Sequence, residues 1–173
     1  SVLSCLERNG VQIPNSCRSG ICHSCMLKGV SGSIPEASQK TVPETLRAQG
    51  YFLSCTCLPT DALHVARADG AMKRISARIV NLSTLNERVI RVELETDDEL
   101  VYFPGQFANL ILNGNVVRSY SLASVPALET HLECHVAIVP NGAMSGWLHH
   151  EASVGDTLEL TGPFGNCFYL PSK

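Results

Sequence analysis

Three cysteines lie within nine residues near the start of the chain, and this crowding constrains the local fold more than any other feature. The stretch CRSGICHSC, residues 17–25, spaces its thiols as Cys-x4-Cys-x2-Cys, with small residues between them. Gly20 can adopt a positive φ without strain, and Ser19 and Ser24 are small enough for backbone N–H groups to approach a bound group closely. The stretch therefore predicts a loop wrapped around a compact, negatively charged centre, with Arg18 as a nearby cation.

The chain has eight cysteines, and three uses of their thiols compete. Disulfide scaffolds are short chains poor in other core residues, whereas 45% of this chain is hydrophobic. Zinc sites usually join two Cys-x2-4-Cys knuckles, but here the second pair is the Cys-x-Cys of Cys55 and Cys57, which would leave Cys17 without a role. Three cysteines at this spacing with a distant fourth form the plant-type 2Fe-2S pattern, so we expect that cluster.

The fourth ligand is expected in GYFLSCTCLP, residues 50–59, which contains two thiols. Its apolar residues predict a strand that delivers Cys55, and 29 residues separate Cys25 from Cys55. The spacing alone leaves both Cys55 and Cys57 as candidates. The other three thiols, Cys5, Cys134 and Cys167, are expected to be small buried hydrophobic residues.

The composition changes after the polar stretch ARADGAMKR, residues 66–74. Short segments with alternating apolar residues, separated by Asn, Asp, Gly and Pro, follow it and predict an antiparallel barrel with one short helix beginning near Ser145. The six segments are ISARIVNLSTL (75–85), VIRVELE (89–95), FANLILNG (107–114), VVRSYSLAS (116–124), LECHVAIV (132–139) and DTLELTG (156–162).

Three motifs on this framework are individually weak. RSYSLAS (118–124) could decorate an exposed strand, and GDTLELTGPFG (155–165) could be a strand and a turn. PNGAMSGWL (140–148) places small residues at a helix entrance, where exposed N–H groups and the helix dipole suit a phosphate.

In this order, the three motifs resemble the flavin-binding barrel of the ferredoxin–NADP reductase superfamily. PNSCRSGICHSCMLKGVSG (14–32) and LSCTCLP (53–59) resemble the ferredoxin domain of plant-type ferredoxins and of oxygenase reductases. The resemblance implies an α+β then all-β chain: a β-grasp ferredoxin domain at 1–66, a linker at 67–74, and a six-stranded antiparallel Greek-key FAD-binding barrel at 75–173. It also implies that the chain is a fragment, without the opening β-hairpin of the ferredoxin domain and without the NAD(P)-binding domain, and no Gly-x-Gly-x-x-Gly occurs.

The resemblance further implies the residues of both sites. The cluster would be bound by Cys17, Cys22, Cys25 and Cys55, leaving Cys57 as a spectator. Arg118 would pair with the FAD pyrophosphate, Tyr120 would stack on the isoalloxazine ring, and the Ser121 hydroxyl would lie near the reactive nitrogen, so that Tyr120 and Ser121 take part in catalysis. The remaining expected FAD contacts are Ser119, then His135, Val136 and Ala137 along the flavin, and Gly142, Ala143, Met144 and Ser145 around the pyrophosphate.

These expectations describe the reductase component of a multicomponent oxygenase, which passes electrons from NAD(P)H through FAD to the 2Fe-2S cluster and on to an oxygenase or similar acceptor. An electron-carrier module served by a separate hydride-accepting protein is an alternative, and a zinc-stapled structural protein is another.

The net charge of −3 gives no reason to expect nucleic acid or an anionic membrane as partner. No apolar run long enough to span a bilayer and no signal peptide is visible, so a cytoplasmic location is expected.

Overall fold

The structure is a computed structural model that describes residues 1–167, so the last six residues of the expected FAD barrel lie outside the described residues. Two compact units divide between Lys73 and Arg74. Each unit has its own hydrophobic core. Within residues 1–167, no helix combines the length and the apolar character needed to cross a membrane.

The first unit combines short helices with a three-stranded antiparallel sheet of order β2-β1-β3. The strand predicted before Cys55 is β2, whose Phe52 and Leu53 are buried beside Leu3 and Leu27. The elements are α1 (Val2–Arg8), β1 (Met26–Ser31), a 3-10 turn (Glu36–Ser38), α2 (Glu44–Arg47), β2 (Tyr51–Leu53) and β3 (His64–Arg67).

The start of α1 is bonded to the segment that follows β2. The first amides of a helix have no acceptor within the helix. Here Val2 N donates to Cys57 O at 2.9 Å and Leu3 N donates to Ser54 O at 3.0 Å. These two carbonyls lie on either side of Cys55, so α1 fixes the backbone that carries this cysteine.

The second unit is a six-stranded antiparallel sheet of order β7-β6-β9-β4-β5-β8. A bridge between Leu122 and Cys134 joins its two ends and closes it into a barrel. All six predicted strands are confirmed, and the predicted helix begins at Ala143, two residues before Ser145. The elements are β4 (Ile75–Asn86), β5 (Val89–Thr96), β6 (Phe107–Leu112), β7 (Val116–Ser121), β8 (Leu132–Ala137), α3 (Ala143–His150) and β9 (Thr157–Phe164).

Alternation along the strands produces the barrel core, because successive strand residues point to opposite faces. Residues such as Ile79, Val92, Leu110 and Leu160 fill the interior with less than 2% exposure. The predicted order of an α+β unit followed by an antiparallel barrel is therefore confirmed.

The expectation that three cysteines are simple buried residues is correct for Cys134 but wrong for Cys5 and Cys167, which are exposed. Cys5 lies two positions after the buried Leu3 on α1. Two residues turn a helix by about 200°, which directs Cys5 away from the core. Cys167 follows the end of β9 and has no strand alternation to direct it inward.

Candidate functional site

The cysteine loop owes its shape to three residues with positive φ. These are Arg18 at 52°, Gly20 at 81° and His23 at 60°. Such conformations are uncommon for side chains other than glycine, and alternating them with ordinary ones turns successive N–H groups toward a shared concave face. Gly20 also lacks space, because a Cβ there would lie 3.0 Å from Thr56 Cγ2.

Cys17 and Cys22 form the first pair of thiols in this loop. Ser19 N and Cys22 N each donate to Cys17 Sγ at 3.4 Å, and Cys17 N donates to Cys22 Sγ at 3.5 Å. Burial raises the pKa of Cys17, but hydrogen bonds from the Ser19 side chain and from the amides of Ser19, Ile21 and Cys22 outweigh it and lower the pKa to about 6. The loop thus stabilises a thiolate, the form that binds metal.

Cys25 and Cys55 form the second pair. Burial is the largest cause raising the pKa of Cys25 to about 12. The Cys55 amide and the Ser54 hydroxyl oppose this shift, while the Cys55 thiol adds to it through a hydrogen bond and its charge. Ser54 N and Ser54 Oγ also donate to Cys25 O at 3.2 and 2.8 Å, which holds β2 against the loop. Metal binding at this pair would displace the proton of Cys25.

Cys57 has different neighbours from the thiols of the two pairs described above. It is fully buried, which raises its pKa, and the Ser38 side chain and the N-terminal amino group act in the opposite direction. Cys55 therefore acts on the Cys25 thiol, whereas the Cys57 thiol interacts with Ser38.

The arrangement of the thiols as two pairs fits a two-iron cluster. Among residues 1–167, no three or more His, Cys, Asp or Glu side chains are grouped so that they could hold a metal ion. In a 2Fe-2S cluster each iron takes two protein ligands, so pairs rather than trios are the expected grouping. Amides directed at sulfur and two pairs of thiols are the donors that such a cluster needs.

Two contacts around the loop were not expected from the sequence. Arg18 Nη2 lies 2.6 Å from Glu7 Oε1 and Arg18 Nε donates to Asn15 Oδ1 at 3.1 Å, so the cation beside the loop is paired with a carboxylate. Thr41 Oγ1 donates to Gly20 O at 2.5 Å. Both partners are distant in sequence and belong to no motif, so no local signal indicates them.

In the barrel, β7 carries Arg118 and Tyr120 on the face that it shares with the buried Leu110 and Ala108 of β6. Arg118 is exposed, and its Nη1 donates to Val117 O at 2.7 Å. Burial raises the pKa of Tyr120 to about 12, with Arg118 opposing the shift and Cys134 adding to it. The phenol is therefore neutral and its ring packs partly against the barrel core.

Alternation directs Ser119 to the opposite face of β7 from Arg118 and Tyr120. Ser119 Oγ donates to Asn109 Oδ1 at 2.8 Å, and Asn109 Nδ2 donates to Thr161 Oγ1 at 3.4 Å. These bonds join β7, β6 and β9, so the Ser119 hydroxyl is hydrogen-bonded to a neighbouring strand of the barrel. Ser121 is exposed at the end of the strand.

The entrance of α3 is a tight turn at Gly142. Val139 N donates to Ser145 Oγ at 3.1 Å, and Gly142 N donates to Val139 O at 2.9 Å. A Cβ at Gly142 would lie 2.4 Å from Ser145 Oγ, so glycine is required here. Ala143 is exposed and Met144 is buried in the barrel core, which leaves the amides of the first turn as the groups suited to a phosphate.

The other predicted flavin contacts lie on β8, and β7, β8 and α3 contact one another. His135 is exposed and its Nε2 lies 2.7 Å from Glu133 Oε1. Val136 is fully buried, while its carbonyl accepts a hydrogen bond from His149 Nε2 at 3.0 Å. Ala137 is exposed. The structure therefore brings the first two motifs together with β8, with Val136 and Met144 available through their backbone only. The third motif forms β9, which lies between β6 and β4.

Comparisons with known proteins agree with this arrangement. Residues 77–169 match the model of the oxidoreductase FAD-binding domain, and residues 1–60 match that of the 2Fe-2S iron-sulfur cluster binding domain. A xylene/toluene monooxygenase electron transfer component, XylA of Pseudomonas putida, is 30% identical over 95% of this chain and 49% of its own length. The reductase subunit of an aromatic O-demethylase from Amycolatopsis sp. is 33% identical over 99% of this chain and 54% of its own length.

A solved structure described as the ferredoxin reductase in carbazole 1,9a-dioxygenase superposes with a TM-score of 0.58 at 29% identity, covering 99% of this chain and 57% of that one. The chain thus spans about half the length of the curated relatives it matches. It belongs to the family of oxidoreductase FAD-binding domains, which it joins to a preceding 2Fe-2S iron-sulfur cluster binding domain.

Proposed function

We propose that this chain is the cofactor-bearing part of an oxygenase reductase component, which passes electrons from NAD(P)H through FAD to a 2Fe-2S cluster and on to an oxygenase or similar acceptor. A flavin accepts a hydride and releases its electrons singly, and a two-iron cluster carries one electron. The observation that carries the proposal is the loop at 17–25, whose amides converge on a thiolate in a chain that also has an FAD-binding barrel. NAD(P)H would be bound outside residues 1–173.

We assign the cluster to Cys17, Cys22, Cys25 and Cys55. The amides of Ser19, Ile21 and Cys22 stabilise the negative charge of the Cys17 thiolate. Contact between the side chains of Cys25 and Cys55 favours Cys55 over Cys57, whose thiol is bonded to Ser38. Burial of Cys22 and Cys25 excludes water from this side of the site.

We assign FAD to the surface formed by β7, β8 and the entrance of α3. The Arg118 guanidinium and the first-turn amides of α3 would bind the pyrophosphate, and the neutral Tyr120 ring would orient the isoalloxazine, with the Ser121 hydroxyl at its reactive edge. The assigned contacts also include His135, Ala137, Ala143 and Ser145, and the backbones of Ser119, Val136, Gly142 and Met144.

The same proposal divides the chain into a ferredoxin domain at 1–66, a linker at 67–74 and the FAD barrel at 75–173. We also propose a cytoplasmic location. None of the eight cysteines, all of which lie within residues 1–167, forms a disulfide, and the pKa of Cys17 is lowered to about 6, which favours the metal-binding thiolate. Proteins of reducing compartments keep their thiols reduced.

Anaerobic loading of the chain with iron, sulfide and FAD tests the proposal. We expect a brown-yellow protein whose visible spectrum shows flavin and cluster bands, with a low-temperature EPR signal after dithionite reduction. Cys55→Ser should remove most of that signal, and the matched control Cys57→Ser should keep it. A colourless protein that binds only zinc would refute the proposal, and the reverse result for the two variants would overturn the choice of the fourth ligand.

A further inference from the structure

Thr41 connects a firmly anchored segment of the first unit to the cysteine loop. Its neighbour Val42 is buried in the core at 4% exposure, and Gln39 Nε2 donates to Tyr51 O at 2.9 Å. The backbone around Thr41 is therefore fixed on β2 and the core. From this position the Thr41 hydroxyl donates to Gly20 O at 2.5 Å, between the first two cysteines of the loop.

The His23 ring fixes the direction of this hydrogen bond. His23 is 7% exposed, and its Nε2 lies 3.2 Å from Thr41 Oγ1. A threonine hydroxyl has one proton to donate, and Gly20 O can only accept. Thr41 therefore accepts from His23 Nε2 and donates to Gly20, so that the three residues form a chain of hydrogen bonds with one orientation.

The Gly20 carbonyl and the Ile21 amide belong to one peptide group, in which C=O and N–H point in opposite directions. Because Thr41 holds the carbonyl on one side, the Ile21 N–H is directed to the other side. The amides of Ser19 and Cys22, on either side of this peptide in the loop, each donate to Cys17 Sγ at 3.4 Å. A Cβ on Gly20 would lie 3.0 Å from Thr56 Cγ2, so this part of the loop packs closely against the segment that carries Cys55.

We propose that Thr41 is a positioning residue for the redox centre: its hydroxyl fixes the Gly20–Ile21 peptide, and with it the backbone that directs the Ser19 and Cys22 amides at Cys17 Sγ, which raises the reduction potential of the cluster. The inference rests on the proposed 2Fe-2S cluster in this loop. Reduction adds negative charge that spreads onto the sulfurs, and an N–H donor stabilises the reduced state more than the oxidised state. Loss of the hydroxyl therefore favours the oxidised cluster.

The test uses the full 173-residue chain loaded anaerobically with iron and sulfide. Thr41→Val keeps the side-chain shape and removes the donor, so the midpoint potential in a redox titration should become more negative and the EPR g-values of the reduced cluster should change. Thr41→Ser restores the hydroxyl and should return both quantities to those of the wild type. Thr60→Val, at an exposed threonine bonded to Asp61, is the control and should change neither.

A loaded Thr41→Val chain with the potential and EPR spectrum of the wild type would overturn the inference. A Thr41→Val chain that folds by circular dichroism but loses its cluster, while Thr41→Ser keeps one, supports it. If Thr41→Val does not fold, Thr41→Ala at this exposed position decides the question by the same two measurements. Failure of the wild-type chain to bind iron would instead refute the proposed function, before any variant is compared.

Discussion

Single residues of the loop act through backbone geometry more than through their chemical character. Ser19 stabilises the Cys17 thiolate through both its amide and its hydroxyl. Gly20 allows the loop to approach Thr56, which a side chain at this position would contact too closely. The sequence predicts the loop, since cysteine spacing is a local property. It could not predict that Glu7 pairs with Arg18, or that Thr41 holds Gly20, because both contacts depend on how distant segments pack.

The metal-free chain should show a pH-dependent thiol at Cys17. Its pKa is lowered to about 6, so the reactive thiolate is present above that pH and is lost as the pH falls through it. Alkylation by iodoacetamide, followed by peptide mass spectrometry, should give a rate at Cys17 that rises with pH around a midpoint near 6. Cys25, whose buried thiol has a pKa of about 12, should stay unmodified at neutral pH.

Ser19→Ala is the informative variant for this measurement. It removes the side-chain hydrogen bond to Cys17 and keeps the amide, so the midpoint should move upward toward the value of an ordinary thiol. An unchanged midpoint would show that the amides alone hold the thiolate.

At the scale of elements, the barrel strands were predictable because apolar and polar residues alternate along each of them in the sequence. The face of the strand on which each residue lies was harder to predict from the sequence. Ser119 lies between Arg118 and Tyr120 in the motif, yet its hydroxyl bonds Asn109 on the opposite face of β7. The entrance of α3 was predicted as a phosphate site from its small residues, but the bond between Ser145 and Val139 emerges only from the folded turn.

Gly142, at the N-cap of α3, and Gly146, inside the helix, form a matched pair that tests this turn. Gly142→Ala places a methyl group 2.4 Å from Ser145 Oγ, so the bond to Val139 N must break. We expect a loss of about 1–2 kcal/mol in the free energy of unfolding, similar to the removal of a helix cap. Gly146→Ala meets no atom within 4 Å and should be neutral or stabilising, because alanine is the better helix former.

Trp147, the single tryptophan, lies in α3 and reports on both variants. Urea titration followed by its fluorescence gives the two free energies. Equal stability of the Gly142→Ala and Gly146→Ala chains would contradict the proposed role of the turn.

For the whole molecule, the two separate cores predict two separate responses to core mutations. Leu27 and Leu110 are each buried, at 2% and 0% exposure, in the first and second cores respectively. Leu27→Ala should destabilise the first unit by about 2–5 kcal/mol and shift the loss of cluster absorbance in urea. Leu110→Ala should shift the Trp147 transition by a similar amount. Identical shifts of both signals for either variant would show that the units unfold as one.

The position of β9 has a consequence for how the chain is made on the ribosome. This last described strand, Thr157–Phe164, lies between β6 and β4 and joins the two halves of the barrel. Residues 1–73 are synthesised before residues 74–173 and contain every thiol assigned to iron, and domains generally fold in the order of their synthesis. Translation therefore separates the two loading events in time: the nascent chain is ready for iron and sulfide while its flavin site still awaits a strand that has not been made.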